Sequence, residues 1–295
     1  MDSERRQHDI PPRRLHFDLP QWAPKFWNGN CPAKTYFFDA LGMVVPAFER
    51  LGIVSILHFR EQLQGQPVYS RVKGFIGQEA SHSAVYLHYN KMLESHGYKV
   101  SQLEKKNIRF FYLFSKICSK RFLLANTIAV EHLTAVWSHC VLSDPFWFEN
   151  ADPTLTAIWR WHAIEEIEHK SVAFDVYRAV NGGYLTRIAG MLMVTMSLTY
   201  FMVRNMWHMM GKDKNRWNIK LWAKMLKTYW GGKGFLRQAI KPYFDYFKPS
   251  FHPWKQDDMY LIESWKAYLD NTNDSLMAIS KRLEQQSPGN LFATS

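Results

Sequence analysis

Two Glu-x-x-His motifs are the residues of this chain best suited to bind metal. Glu79 and His82 form the first motif, and Glu166 and His169 form the second. On an α-helix, residues three positions apart project from the same face, so each motif would present one carboxylate and one imidazole together. Two such motifs and two single glutamates are the ligands of a carboxylate-bridged dinuclear site in a four-helix bundle.

Glu49 and Glu131 are the two single glutamates that complete this set. Glu49 precedes Glu79 by 30 residues, and Glu131 precedes Glu166 by 35. Turn-forming breaks at 65–67 and 144–153 fall within these two intervals. Two antiparallel helices joined by such a turn bring residues equally far from it to the same level. The spacing therefore predicts that all four glutamates meet inside the bundle.

His162 adds a third imidazole, because it lies four residues before Glu166 on the same predicted face. We expect it to ligate metal; the alternative is a hydrogen bond to a metal-bound carboxylate. Glu165 and Asp175 are expected outside the ligand set, where a carboxylate could orient a ligand imidazole. His132 directly follows Glu131 and points elsewhere around the helix, so it is predicted not to ligate.

The chemistry of these ligands favours iron. Buried carboxylates are costly unless they are paired or bind cations, and four converging glutamates would repel one another. Two cations remove that repulsion. Oxygen-rich ligation with imidazole suits iron or manganese better than structural zinc, which prefers cysteine and histidine. We therefore predict two iron ions, with manganese as the alternative.

The helices that must position these ligands follow from periodicity. Helical patterning covers 35–63, 72–93, 101–142 and 153–180, with Asp152 as a predicted N-cap and Ser101 with Glu104 as a predicted capping box. Alternating β-type segments do not interrupt them. The sequence predicts an all-α, ferritin-like four-helix bundle with additional C-terminal helices. Its predicted parts are an N-terminal arm (1–33), a metal-binding core (34–183), a helical extension (184–286) and a tail (287–295).

The predicted extension begins with an uncharged apolar segment, 188–203, between Arg187 and Arg204. Sixteen residues are short for a membrane span, unless both arginines extend toward the lipid headgroups. The favoured alternatives are a fifth helix packed on the bundle and a homodimer interface. The following segment, 217–230, is amphipathic and basic with a Trp-rich apolar face. This pattern is typical of a helix on an anionic membrane surface, but also of an ordinary packed helix.

Charge and cysteine content indicate location and partners. The net charge is +11, and the region from Arg204 to Pro242 holds ten Lys or Arg and one acidic residue. Nucleic-acid binding there is not expected, because no recognition motif accompanies the charge. The three cysteines form no CxxC, and the charged start lacks an apolar signal region. These features favour a cytoplasmic protein; peripheral association with the inner membrane face is the alternative.

Two stretches of this chain resemble one bacterial family. Residues 75–82 (FIGQEASH) and 161–175 (WHAIEEIEHKSVAFD) resemble the predicted metal-dependent hydrolases over roughly 11–200. Phe48 replaces the glycine that precedes the first glutamate in that family's pattern. The His-x-x-x-Glu-x-x-His arrangement is also similar to that of the di-iron arylamine N-oxygenases. The resemblance implies a metal-dependent enzyme with a dinuclear centre.

Three functions compete at this stage. We favour an O₂-activating di-iron oxidoreductase that acts on an apolar or aromatic substrate and needs an electron donor. The first alternative is a metal-dependent hydrolase that uses a metal-activated bridging water. The second is a non-enzymatic role in metal binding, or as a protein recruited to membranes.

Overall fold

The computed structural model of the chain describes residue 10 and residues 23–264. This part of the chain is all-α, as predicted, and its only β-type pairing is an isolated bridge between Asn28 and Ala151. The α-helices are α1 (Pro32–Gly42), α2 (Val45–Leu57), α3 (Tyr69–Ser95), α4 (Val100–Ile117), α5 (Lys120–Ser143), α6 (Pro153–His169), α7 (Val172–Ala179), α8 (Tyr184–Lys212), α9 (Ile219–Trp230) and α10 (Phe235–Asp245). Short 3₁₀ helices span Pro145–Trp147 and Pro253–Lys255.

Four of these helices form a closed ring around the predicted ligands. Helix α2 packs against α3 and α5, and α6 packs against the same two helices from the other side. Each of the four carries at least one of the predicted ligands on its buried face. This arrangement is compatible with the ferritin-like bundle that the ligand spacing predicts.

Three predicted helices are each divided in two, at residues 43–44, 118–119 and 170–171. The helix predicted over 35–63 stops at Gly42 and restarts at Val45, with Pro46 in its first turn, where a missing N–H has no cost. The long helix predicted over 101–142 divides because the hydroxyl of Ser119 accepts a hydrogen bond from Phe122 N and caps α5.

The predicted capping box at Ser101 and Glu104 is wrong. Helix α4 begins at Val100, one residue earlier, and its N-cap residue Lys99 makes no side-chain cap. The backbone N–H of Ser101 instead donates to the carboxylate of Glu94, at 2.8 Å. The predicted N-cap at Asp152 is confirmed, since its carboxylate accepts from Leu155 N at 3.0 Å.

The additional helices pack directly on the bundle. Helix α8 lies against α1 and α5, and buries Met191 and Val194. Helix α9 lies against α1, where the hydroxyl of Tyr229 donates to Ala33 O at 2.7 Å. The apolar face predicted for a membrane surface is thus partly buried in the fold, through Leu221 and its neighbours.

Within the residues that the structure describes, two segments are long and apolar enough to cross a membrane by length and composition. The first, Pro32–Leu57, comprises the core helices α1 and α2, and 72% of its apolar window is buried. The second is α8, in which 33% of the apolar window is buried. Of the predicted arm, Trp27 is buried, whereas Phe17 and Trp22 lie outside the described residues. The predicted tail and residues 265–286 of the predicted helical extension also lie outside them.

Candidate metal centre

The seven predicted ligands lie together in the bundle and are almost completely buried. Helix α2 supplies one, α3 two, α5 one and α6 three. The exposed fractions are Glu49 6%, Glu79 3%, His82 0%, Glu131 3%, His162 2%, Glu166 3% and His169 0%. A cluster of this composition without bulk water is suited to cations rather than to isolated charges.

One group of four ligand atoms comes from Glu49, His82, His162 and Glu166, and these atoms lie within 4.8 Å of one another. The Nε2 atom of His162 is 2.8 Å from Glu166 Oε1 and 3.4 Å from Glu49 Oε1. The Nδ1 atom of His82 is 3.5 Å from Glu49 Oε2. These four donors could hold one metal ion.

A second group consists of Glu79, His82, Glu166 and His169, again within 4.8 Å. The Nε2 atom of His169 is 3.2 Å from Glu79 Oε1 and 3.8 Å from Glu166 Oε1. His82 and Glu166 belong to both groups, so each of them would contribute to the binding of two ions. The arrangement is therefore compatible with two ions that share Glu166.

Glu131 lies beside the two groups rather than in either. Its Oε2 accepts a hydrogen bond from His169 Nδ1 at 2.7 Å. In this position the carboxylate of Glu131 orients the imidazole of His169 so that Nε2 points toward the centre. Its predicted role as a direct ligand stays a prediction.

Unpartnered atoms test whether these residues fit metal ions. Four buried atoms of the cluster make no hydrogen bond: Glu49 Oε2, Glu79 Oε1, His82 Nδ1 and His169 Nε2. Buried polar atoms are normally satisfied, so an unpartnered set needs a specific explanation. All four are of the types that ligate iron or manganese, and they face one another across the two groups. The donor set fits a pair of cations.

Three residues hold the ligands from outside. Glu165 accepts from His82 Nε2 at 2.9 Å, in the orienting position that the sequence predicts. Sequence reasoning missed the other two residues. The hydroxyl of Tyr86 lies 2.9 Å from His162 Nδ1, and the hydroxyl of Thr134 donates to Glu166 Oε2. Helical spacing could have found both, since they follow the ligands of their own helices by four and three residues.

Asp175 does not reach the centre. Its carboxylate accepts from Arg71 Nη1 at 3.1 Å and from His252 Nε2 at 3.3 Å, rather than from a ligand imidazole. The reason is the break at Lys170 and Ser171, which separates α6 from α7 and ends the predicted continuous face.

His132 lies away from the ligands, as predicted. Its Nε2 is 3.0 Å from Pro242 O, and burial lowers the pKa of His132 to about 4. Another buried carboxylate of α6, Glu168, accepts from Gln78 Nε2 at 3.0 Å.

The pKa shifts within the cluster indicate how its charge is neutralised without metal. Burial, with the neighbouring Glu49 and Glu131, raises the pKa of Glu79 well above its usual range, and burial raises the pKa of Glu131 to about 7. Burial alone would lower the pKa of His82, but Glu49 and Glu165 raise it to about 10. Protons thus occupy the cluster, and cations would displace them.

Aromatic rings surround the imidazoles. The ring of Phe75 meets that of His169 edge-on at 5.0 Å, and Trp161 meets His82 at 4.8 Å. Tyr86 and Trp159 lie 5.0 and 6.1 Å from His162. Such walls exclude water and lower the local dielectric, which strengthens the interaction of the carboxylates with bound cations.

Comparison with known proteins adds one finding. A family model described as "Predicted metal-dependent hydrolase" matches residues 11–257. No curated protein and no solved structure matches this chain.

Proposed function

Since this chain belongs to the family of predicted metal-dependent hydrolases, we propose that its buried carboxylates and imidazoles hold two metal ions. We assign the ions as iron and the reaction as O₂-dependent oxidation of an apolar or aromatic substrate. The observation that carries the proposal is the charge of the cluster. Its four buried glutamates balance two divalent ions, and the additional imidazoles provide the mixed oxygen and nitrogen ligation that iron favours.

When bound, two adjacent irons can supply electrons to O₂, and an external donor returns them. The chain itself holds the ligands in place. Glu165 accepts a hydrogen bond from His82 Nε2, and Glu131 accepts one from His169 Nδ1, so the opposite ring nitrogens face the centre. The rings of Phe75 and Trp161 close the surroundings to water, which protects a reactive site from side reactions.

Hydrolysis is the second candidate, and the description of the family favours it over oxidation. In that reaction, bound metal ions would lower the pKa of a water nucleophile and polarise a carbonyl or phosphoryl oxygen. The same seven side chains would serve both reactions. Electron transfer is therefore what separates the two proposals.

The decisive experiment compares the protein loaded anaerobically with ferrous iron and with zinc. Oxidation predicts that the iron form, after reduction, consumes O₂ and develops new visible absorption, whereas the zinc form does neither. Hydrolysis predicts that the zinc or manganese form cleaves members of an ester, amide and phosphoester panel without O₂. Hydrolytic turnover together with no O₂ consumption by the iron form would overturn the oxidation proposal.

A further inference from the structure

A second site lies beyond the end of the bundle, where α7, the start of α8 and segment 249–255 meet. It is a cavity of about 520 Å³, a size typical of small-molecule sites. Its walls are largely aromatic, and the rings come from Phe174, Tyr177, Tyr184, Phe251 and Trp254. None of the lining residues is a predicted metal ligand.

Arg187 in this wall is a buried cation that lacks an acidic partner. Its side chain is 4% exposed, its Nη2 donates to Lys248 O at 2.8 Å, and its Nε has no hydrogen-bond partner. No carboxylate forms an ion pair with it among the residues that the structure describes. The rings of Tyr184 and Phe251 lie 5.2 and 5.4 Å from the guanidinium, and they compensate its charge only in part. A buried guanidinium in this state favours an anion.

Two further cations line the same cavity. Arg178 and Lys255 are exposed, and Lys255 Nζ lies 3.1 Å from Ser250 Oγ. The lining contains no acidic residue. Asp175, which contacts His252 of the lining at 3.3 Å, also pairs with Arg71 at 3.1 Å, so its charge is matched.

We propose that this pocket binds a phosphate group carried by an apolar or aromatic body. The planar guanidinium of Arg187 presents paired donors that match phosphate oxygens, and Arg178 with Lys255 can balance a dianion at the rim. The aromatic walls bury the remainder of the ligand. A soluble phosphate ester and the headgroup of a phospholipid share this chemistry.

The test is calorimetric titration of the full chain, metal-loaded and metal-free, with inorganic phosphate, phenyl phosphate and a short-chain phosphatidic acid. Phenyl phosphate should bind more tightly than phosphate, and equally to both metal states. Arg178→Gln combined with Lys255→Gln should weaken binding by roughly tenfold or more, the effect of losing a charged hydrogen bond. Tighter binding of the phosphatidic acid than of phenyl phosphate would identify a lipid headgroup, and the reverse order a soluble ester.

Arg60→Gln combined with Lys227→Gln is the matched control, because it also removes one arginine and one lysine, from exposed positions after α2 and on α9. Arg187→Lys keeps the positive charge but loses the paired N–H donors of the guanidinium. It should also weaken binding, while the thermal unfolding curve stays cooperative. Equal loss in the control and the pocket variants would overturn the proposal, and so would binding of benzoate as tight as that of phenyl phosphate.

Discussion

At the scale of single residues, the ring nitrogens of the histidines have divided roles. His82 uses Nε2 for Glu165, and His169 uses Nδ1 for Glu131, so in each ring only the other nitrogen can reach a metal. His162 directs Nδ1 to the hydroxyl of Tyr86 and Nε2 toward Glu166. The three rings are therefore already oriented for ligation, and little entropy is lost when ions bind.

Glu166 is the carboxylate whose loss should matter most, since it belongs to both four-ligand groups. We expect Glu166→Ala to lose most of the metal, because the remaining carboxylates cannot neutralise two cations. Metal analysis of the purified variant measures this directly. Glu61→Ala, at an exposed position, is the control and should keep a full complement. Two equivalents of metal in Glu166→Ala would show that the ligand assignment is wrong.

His162 and Tyr86 separate direct ligation from orientation. If His162 ligates, His162→Ala should keep the fold and part of the metal but change the visible spectrum or the turnover of the oxidised iron form. Tyr86→Phe removes only the hydroxyl beside Nδ1, so it should weaken metal binding by roughly 10- to 100-fold without changing the spectrum. Unchanged spectra, affinity and turnover in His162→Ala would assign this histidine no part in the centre.

Asp39 should make stability depend on pH. Burial raises the pKa of this carboxyl to about 7, although Tyr89 and Trp27 donate to its Oδ1. The folded state therefore binds a proton more tightly than the unfolded state, and this group's contribution to stability falls as pH rises from about 4 to 7.

Asp39→Asn keeps an acceptor for both donors but cannot ionise. Relative to the natural protein, it should become more stable as pH rises, by on the order of 1 kcal/mol per pH unit within that window. Urea unfolding at pH 5 and pH 8, with both proteins in the same metal state, measures the difference. A difference that stays constant between the two pH values would contradict the raised pKa.

At the scale of helices, the sequence was sufficient to predict those helix faces and ligand positions that periodicity and spacing determine. The faces of α3 and α6 follow from residues three or four apart, and so do their ligands. The divisions at Pro46 and Ser119 carry local signals that sequence reasoning missed. The division between α6 and α7 was not predicted because its contacts involve distant partners. Lys170, at the end of α6, pairs with Asp258, 88 residues away, and lies over the ring of Trp254. No local pattern contains that contact.

Helix α8 approaches α5 closely at Gly190. A Cβ atom there would lie 2.6 Å from Ala125 O, a backbone atom that cannot move aside without shifting α5. Gly-to-Ala normally stabilises a helix by up to about 1 kcal/mol. At Gly190 we instead expect a loss of roughly 1–3 kcal/mol, because the two helices must move apart. Chemical denaturation measures the change.

Gly52 in α2 is the matched control for this substitution. A Cβ atom at Gly52 meets Thr127 at 3.6 Å, which is ordinary contact, so Gly52→Ala should be neutral or stabilising. Equal stability changes at the two glycines would refute the proposed close packing of α8 on α5.

At the scale of the whole molecule, large apolar side chains are exposed on α8 and on α4 and α10, which contact it. On α8 they include Leu185 (78% exposed), Met196 (62%) and Tyr200 (61%). Helix α4 adds Ile117 (82%), and α10 adds Phe244 (64%). Exposed lysines and arginines of α4 and α10 lie along the same helices: Lys105, Lys106, Arg109, Lys116, Arg237 and Lys241. Exposed apolar side chains on helices that also carry exposed cations are typical of a surface that contacts anionic lipid.

The sequence predicts binding to anionic membranes through 188–230, which comprises most of α8 and all of α9. We expect α8 to carry this binding together with α4 and α10, because α9 is partly buried on α1. Each Lys or Arg near such a surface contributes about 1 kcal/mol, so a few of them suffice for measurable binding. Flotation with phosphatidylserine vesicles at low salt measures it. Binding that weakens with salt indicates a peripheral protein, and binding that resists salt but yields to detergent indicates insertion of α8.

Two charge substitutions distinguish the surfaces. Met196→Glu, on the exposed face of α8, should abolish flotation, whereas Leu226→Glu, at a 62% exposed position on α9, should not. Loss of flotation only in Leu226→Glu would restore α9 as the membrane helix. If neither the natural protein nor its variants float, light scattering decides what covers the face. A dimer that Met196→Glu converts to monomer would identify a second copy of the chain, because the substituted carboxylate would be buried unpaired in an apolar interface.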